Sequence, residues 1–184
     1  MKIEDMHFKL KDSRDAIIRS PREEDVEGIL AYLIKSAAET DFLLRYPEEW
    51  EQLTYEKEKE LIEGWEKSDC QTMLTCEVDG VIVGTCMVSW NKGIKIGHEA
   101  RVAIGLLKEY WNLGIGTKFF EEMIKIAKSN PNIIQMELEF IEGNTRARAL
   151  YEKIGFKIVA MRPRAIRLKD GTLLSEYIML KELK

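Results

Sequence analysis

One stretch constrains this chain more than any other. From Ile104 to Thr117, IGLLKEYWNLGIGT, a strand-like run passes straight into a glycine-bearing turn and then into a helical pattern. Gly114 and Gly116 leave the main chain bare there, so a ligand can approach it closely. The first turn of a helix carries N–H groups without intrahelical acceptors, and the helix dipole adds positive potential at the same place. Strand, glycine turn and helix in that order make a backbone site suited to a pyrophosphate. The competing reading is a plain strand–turn–helix whose glycines only ease the turn. Two familiar phosphate-binding spellings do not fit. The dinucleotide fingerprint wants a third glycine where Phe119 stands. The P-loop wants Gly-Lys-Ser/Thr, and the chain has Gly116-Thr117-Lys118.

Periodicity sets the elements around that stretch. Asp15 to Arg19 reads as a short strand. Ser20 then reads as a helix N-cap with Pro21 at the first helical position, and the helix runs to about Ala38. Glu39 to Glu51 is a broken segment around Pro47, and Thr54 to Lys67 is a charged helix whose acidic clusters read as solvated faces. Thr72 to Val78 and Val81 to Trp90 flank the hairpin signal Asp79-Gly80. Gly97 to Leu107 is a long strand. Its parity puts His98 on the apolar face with Ala100, Val102, Ile104 and Leu106, as a structural histidine. The helix after Gly116 buries Ile115, Phe119, Met123 and Ile126 and stops at Asn130-Pro131. Ile133 to Ile141 is a strand with Glu137 and Glu139 on its polar face. A short helix, Asn144 to Ile154, ends at Gly155. Strands at about Phe156–Arg162 and Leu173–Leu180 close the chain. No linker or repeat interrupts this order, so residues 1–184 read as a single domain.

Charge and cysteine use exclude several function classes. A net charge of −4 gives nucleic acid no electrostatic footprint. Cys70, Cys76 and Cys86 form no CxxC pair, and His7 and His98 are the only histidines, so neither a disulfide framework nor a metal centre is indicated. Met1 to Leu10 lacks the apolar core of a signal peptide, and no apolar run approaches the ~18 residues of a membrane span. A cytoplasmic protein with no membrane partner is expected.

A second constellation is Asn144 to Phe156, NTRARALYEKIGF, in which Asn144 and Tyr151 lie two helical turns apart on one face. Capping alone would justify Asn144, and core packing would justify Tyr151. Together with the glycine turn, however, the segment resembles the GCN5-related N-acetyltransferase (GNAT) superfamily. That family's second motif, Asn-x-x-Ala-x-x-Leu-Tyr-x-x-x-Gly-Phe, is complete in Asn144, Ala147, Leu150, Tyr151, Gly155 and Phe156. Its first motif keeps Gly114 and Gly116 but has Trp111 where the family usually carries Arg or Gln.

The resemblance implies an α/β (α+β) fold with a mixed, mostly antiparallel central sheet of about seven strands flanked by about four helices. It implies an acetyl-CoA-dependent acyltransferase that moves an acetyl group directly to a primary amine of a small molecule or a protein N-terminus. In similar enzymes the strand before the glycine turn splays from its neighbour and bonds the pantetheine arm, which points to Ile104, Gly105 and Leu106. The pyrophosphate would rest on the backbone of Asn112, Leu113, Gly114, Ile115, Gly116 and Thr117, with Asn144 contacting the cofactor. Tyr151 resembles the general acid: a phenol with ordinary pKa near ~10 suits protonation of a leaving thiolate. The base is open among Glu139, Glu99 and a water chain. The acceptor pocket would be built by Ala31 to Trp50 and Arg162 to Tyr177. A homodimer is among the assemblies the resemblance allows. A non-catalytic acyl-CoA-binding module of the same fold is the alternative, motivated by Trp111 and the unassigned base.

Overall fold

The computed structural model describes residues 1–184. Eight strands form one sheet in the order β1-β2-β3-β4-β5-β6-β8-β7. In chain order they are β1 (Met6–Lys9), β2 (Asp15–Arg19), β3 (Gln71–Val78), β4 (Val81–Trp90), β5 (Glu99–Leu106), β6 (Gln135–Ile141), β7 (Lys157–Arg167) and β8 (Leu173–Glu182). The helices are α1 (Val26–Ala38), α2 (Pro47–Trp50), α3 (Tyr55–Lys67), α4 (Ile115–Ser129) and α5 (Thr145–Ile154).

Two elements go beyond the sequence expectation, β1 and α2. β1 has only four residues and pairs along its whole length with β2. α2 is one turn started by Pro47, with the Glu49 carboxylate accepting the Tyr46 N–H at 2.7 Å. Neither is long enough to show a period. The start of α1 also differs. Ser20 does not cap it; its hydroxyl accepts the Ile3 N–H at 3.0 Å. A 3-10 turn at Glu23–Asp25 leads in instead, with the Asp25 carboxylate accepting the Arg22 N–H at 2.7 Å. Asp25 also holds the buried Arg19 guanidinium, at 2.5 and 2.7 Å, which ties β2 to the helix entry.

The hairpin at Asp79-Gly80 has both residues at positive φ, 51° and 77°, the mirror-image turn that suits strand twist. Register fixes the faces. Thr85 pairs with Gly105 and Thr75, and Met87 with Ala103 and Met73, so these residues share one face. On that face lies α1: a Cβ added to Gly105 would meet the Tyr32 hydroxyl at 2.5 Å. On the other face Leu106 and Ile104 look toward α4 and α5, where a Cβ on Gly116 would strike Leu150 at 2.8 Å. The core follows the predicted stripes, with Ile115, Phe119, Met123 and Met136 fully buried. His98 departs from its expectation. It stands exposed in the turn before β5, where its carbonyl accepts the Ile134 N–H. The strand begins at Glu99, so the parity argument does not reach it.

Every strand pair is antiparallel except β5 and β6. Those two run parallel and are paired only from Glu99↔Gln135 to Arg101↔Glu137. Beyond Arg101, β5 keeps β4 as far as Leu106, while β6 keeps β8 as far as Ile141. The sheet is therefore open between β5 and β6 over their C-terminal halves.

Candidate active site

A cleft of ≈ 940 Å³ passes through this opening. Its lining includes Ile104, Gly105 and Leu106 of β5, Asn112, Gly114, Gly116 and Thr117 of the turn and α4, and Asn144 and Tyr151 of α5. Residues far apart in sequence thus meet in one space.

The turn before α4 supplies main-chain donors. Asn112 and Gly114 have positive φ, 63° and 101°, and so turn successive N–H groups toward one side. The first main-chain donor to find a carbonyl after Trp111 is Lys118, bonded to Gly114 at 3.2 Å. The N–H groups of Asn112 through Thr117 therefore have no protein acceptor. Gly114 is the N-cap and offers no side-chain oxygen, and the first turn of α4 carries no acid. An anion at this end of α4 meets nothing that competes with it or repels it. Gly116 must lack a side chain for close approach to Leu150, and Gly114 for its φ.

Alternation along β5 assigns its polar groups. The Leu107 N–H bonds Val83 of β4 at 2.9 Å, so the odd-numbered backbone groups face β4. Those of Ile104 and Leu106 face the opening. Gly105 contributes differently, by letting Tyr32 pack against its bare Cα. The Leu106 carbonyl is engaged: the Trp111 indole N–H donates to it at 2.9 Å.

Trp111 therefore does more than pack. The Arg146 guanidinium lies over its ring, 3.1 Å from the centroid. Burial draws Arg146 down to about 10, and no carboxylate pairs with it. Sequence reasoning missed Arg146, since its partner is an aromatic ring distant in sequence. Arg146 of α5 thus places a cation beside Trp111.

Tyr151 is buried against Phe120, Phe140 and Phe156, with ring centroids 5.6, 6.1 and 6.4 Å away. Burial raises its phenol to about 12, opposed by Arg146, so it stays protonated at neutral pH. Asn144 caps α5, its side-chain oxygen accepting the Ala147 N–H at 3.2 Å; its amide nitrogen is left over.

The acids lie on the α1 face of the sheet. Glu139 lines the cleft and sits 3.3 Å from Arg162, which also binds the buried Glu176 of β8. Glu99 does not line the cleft; it stands at the paired end of β5, holding the Gln135 amide at 2.6 Å. Burial, then the charge of Glu99, pushes the Glu137 carboxyl up. Loop acids near the expected acceptor pocket have structural tasks. Glu39 accepts the Lys108 N–H at 2.6 Å, and Glu48 pairs with Lys169. The structure adds Glu58 of α3 to the cleft, buried in a helix whose acids read as solvated.

Residues 35–156 match the Acetyltransferase (GNAT) family. An N-alpha-acetyltransferase of Sulfurisphaera tokodaii is 37% identical over 93 residues, 45% of this chain and 54% of that protein. The chain thus spans about half the length of the curated relatives it matches. Among solved structures, an acetyltransferase of the GNAT family from Streptococcus pneumoniae superposes with a TM-score of 0.84 at 27% identity, covering 91% of this chain and 99% of that one. A Salmonella typhimurium protein solved with its cofactor acetyl-CoA shares the fold, with a TM-score of 0.77 at 17% identity over 92% of this chain and 94% of that one.

Proposed function

The chain belongs to the acetyltransferase (GNAT) family, and on that premise we propose that it transfers an acetyl group from acetyl-CoA directly to a primary amine. The observation that carries the reading is the open β5–β6 gap, which leads from the free N–H groups before α4 to Tyr151. The residues fit the cofactor. The main chain of Asn112 to Thr117 takes the pyrophosphate, Arg146 adds a cation beside it, and the free backbone edge of β5 at Ile104 and Leu106 offers partners for the amide-bearing arm. Acetyl-CoA supplies an activated thioester, so no enzyme-bound acyl group is required. Cys76 and Cys86 support this: both are buried and their thiols are pushed far up by burial, to about 12 for Cys76, which leaves neither as a reactive thiolate.

The residues around the gap divide the proton work. Tyr151 donates to the departing sulfur. A thiol has an ordinary pKa of about 8.5, so a phenol held near 12 stabilises the departing sulfur as a hydrogen-bond donor, and any proton it passes to sulfur is replaced by the second proton that the acylated nitrogen sheds. The incoming ammonium must lose a proton. Glu139 lines the cleft and takes it through water, with Arg162 and Glu176 orienting the carboxylate. Glu99 lies outside the lining and takes no part in this reading. Relatives named N-alpha-acetyltransferases support an amine as acceptor.

The test is to incubate the protein with acetyl-CoA and a panel of amines and to follow thiol release. Release that depends on the amine, with an acetylated product found by mass spectrometry, is expected. Coenzyme A binding without transfer to any amine would favour a sensing module instead.

A further inference from the structure

The acceptor side of the cleft contains a carboxyl group with nothing to bind. Glu58, in the first turns of α3, is 2% exposed, lines the cleft, and has an enclosed Oε1 without a hydrogen-bond partner. The other acids of the lining, Glu139 and Glu176, share Arg162. Glu58 shares nothing. Leu61 and Trp65 on its own helix and Met73 on β3 line the same space. Burial alone drives it up to about 7, with no charged neighbour acting on it. The Trp50 indole N–H is likewise enclosed and without a partner in this wall. Natural interiors rarely leave a carboxyl in this condition unless something else completes it.

We propose that Glu58 binds a second basic nitrogen of the acceptor, so that the preferred acceptor is a diamine with an apolar span between its two nitrogens. The inference rests on the acetyl-transfer reading above. Geometry separates the two ends. α3 packs over β3, and the transfer site lies at the edge of β5. Neighbouring strands are about 4.8 Å apart, so the α3 end of the cleft over β3 stands roughly 10 Å across the sheet from β5. Glu58 is thus too far to deprotonate the attacking amine, and well placed to hold the far end of its carrier. The wall between, Tyr32, Leu33, Leu53 and Met87, suits methylene groups better than water. A bound ammonium also removes the cost of the lone buried charge.

Thiol release measured with a ladder of α,ω-diamines, from diaminopropane to diaminodecane, and with monoamines of matched length tests this. Wild type should prefer a diamine of intermediate length over its monoamine by 30-fold or more in kcat/KM. Glu58→Gln should bring that ratio below threefold, and Glu58→Asp should retain part of it and shift the optimum to a longer diamine. A lysine-first tetrapeptide beside an alanine-first one asks whether the second nitrogen can instead belong to a peptide. A peptide preference with no diamine preference overturns the proposal. Equal rates for diamine and monoamine, or a ratio that survives Glu58→Gln, also overturn it. Transfer to no amine overturns the acetyl-transfer reading instead. Calorimetry of diaminooctane against the protein with coenzyme A then decides Glu58 alone: tenfold weaker binding by Glu58→Gln supports the assignment, and unchanged binding ends it. Coenzyme A affinity within twofold of wild type verifies that each variant is folded.

Discussion

The donor and acceptor halves of the cleft are made of different materials. On the proposed donor side the groups offered to a ligand are main-chain N–H groups from Asn112 to Thr117, left free by a turn that relies on Gly114 and Gly116. On the proposed acceptor side they are side chains, Glu58 and Glu139, brought from α3 and β6. A backbone site is specified by where side chains are missing and changes little when neighbours vary. A side-chain site can be rewritten one residue at a time. The contrast teaches where a shared reaction is encoded and where its specificity is.

Four substitutions would break or sharpen that contrast. The largest effect is expected at Gly114→Asp. It forces an ordinary residue to φ 101° and puts a carboxylate at the anion site, so coenzyme A affinity should fall by about 10³-fold in calorimetry. An unchanged affinity would show that the donor site is not built from backbone. Glu58→Gln should act on stability instead. Below pH 4.5 the carboxyl is neutral in folded and unfolded chains alike; between 4.5 and 7 the unfolded chain ionises first, so wild-type stability falls as pH rises through that window. The glutamine variant should lack that slope, so its stability relative to wild type should rise by about 3 kcal/mol between pH 4.5 and pH 8, read from urea unfolding across pH. Tyr151→Phe should lower kcat by roughly 100-fold while leaving the coenzyme A dissociation constant within about twofold. Unchanged turnover would remove the phenol from the chemistry. The smallest effect belongs to Arg146→Gln, about tenfold in coenzyme A affinity, with a shallower dependence on salt. That variant separates the one side-chain cation of the donor half from the main chain beneath it.

The same contrast explains what could be read from sequence. β5, the glycine turn, α4, β6 and α5 were legible because each is dictated locally: a period of two or 3.6, a glycine at positive φ, a capping Asn144 and a closing Gly155. β1 and α2 were not, being too short to carry a period. Ser20 has the chemistry of a cap, but Ile3, distant in sequence, claims its hydroxyl. Glu58 looked like its neighbours Glu56 and Glu60, because only the packing of α3 against α1 and β3 buries one of them. Trp111 stood out only as a departure from the first motif, whereas its indole N–H and its ring face serve Leu106 and Arg146. What folding brings together across the sheet leaves no spacing to recognise.

The short rung between β5 and β6 has a mechanical consequence. Five strands on one side and three on the other are joined directly only at one end, from His98 to Arg101, like two plates riveted at one corner. An amide-bearing chain bound in the slot, as proposed, would supply the missing rungs and act as a splint. Loading should stiffen the molecule along the seam first, and slower amide exchange at Ile104 and Glu139, whose N–H groups face the slot, would be its signature.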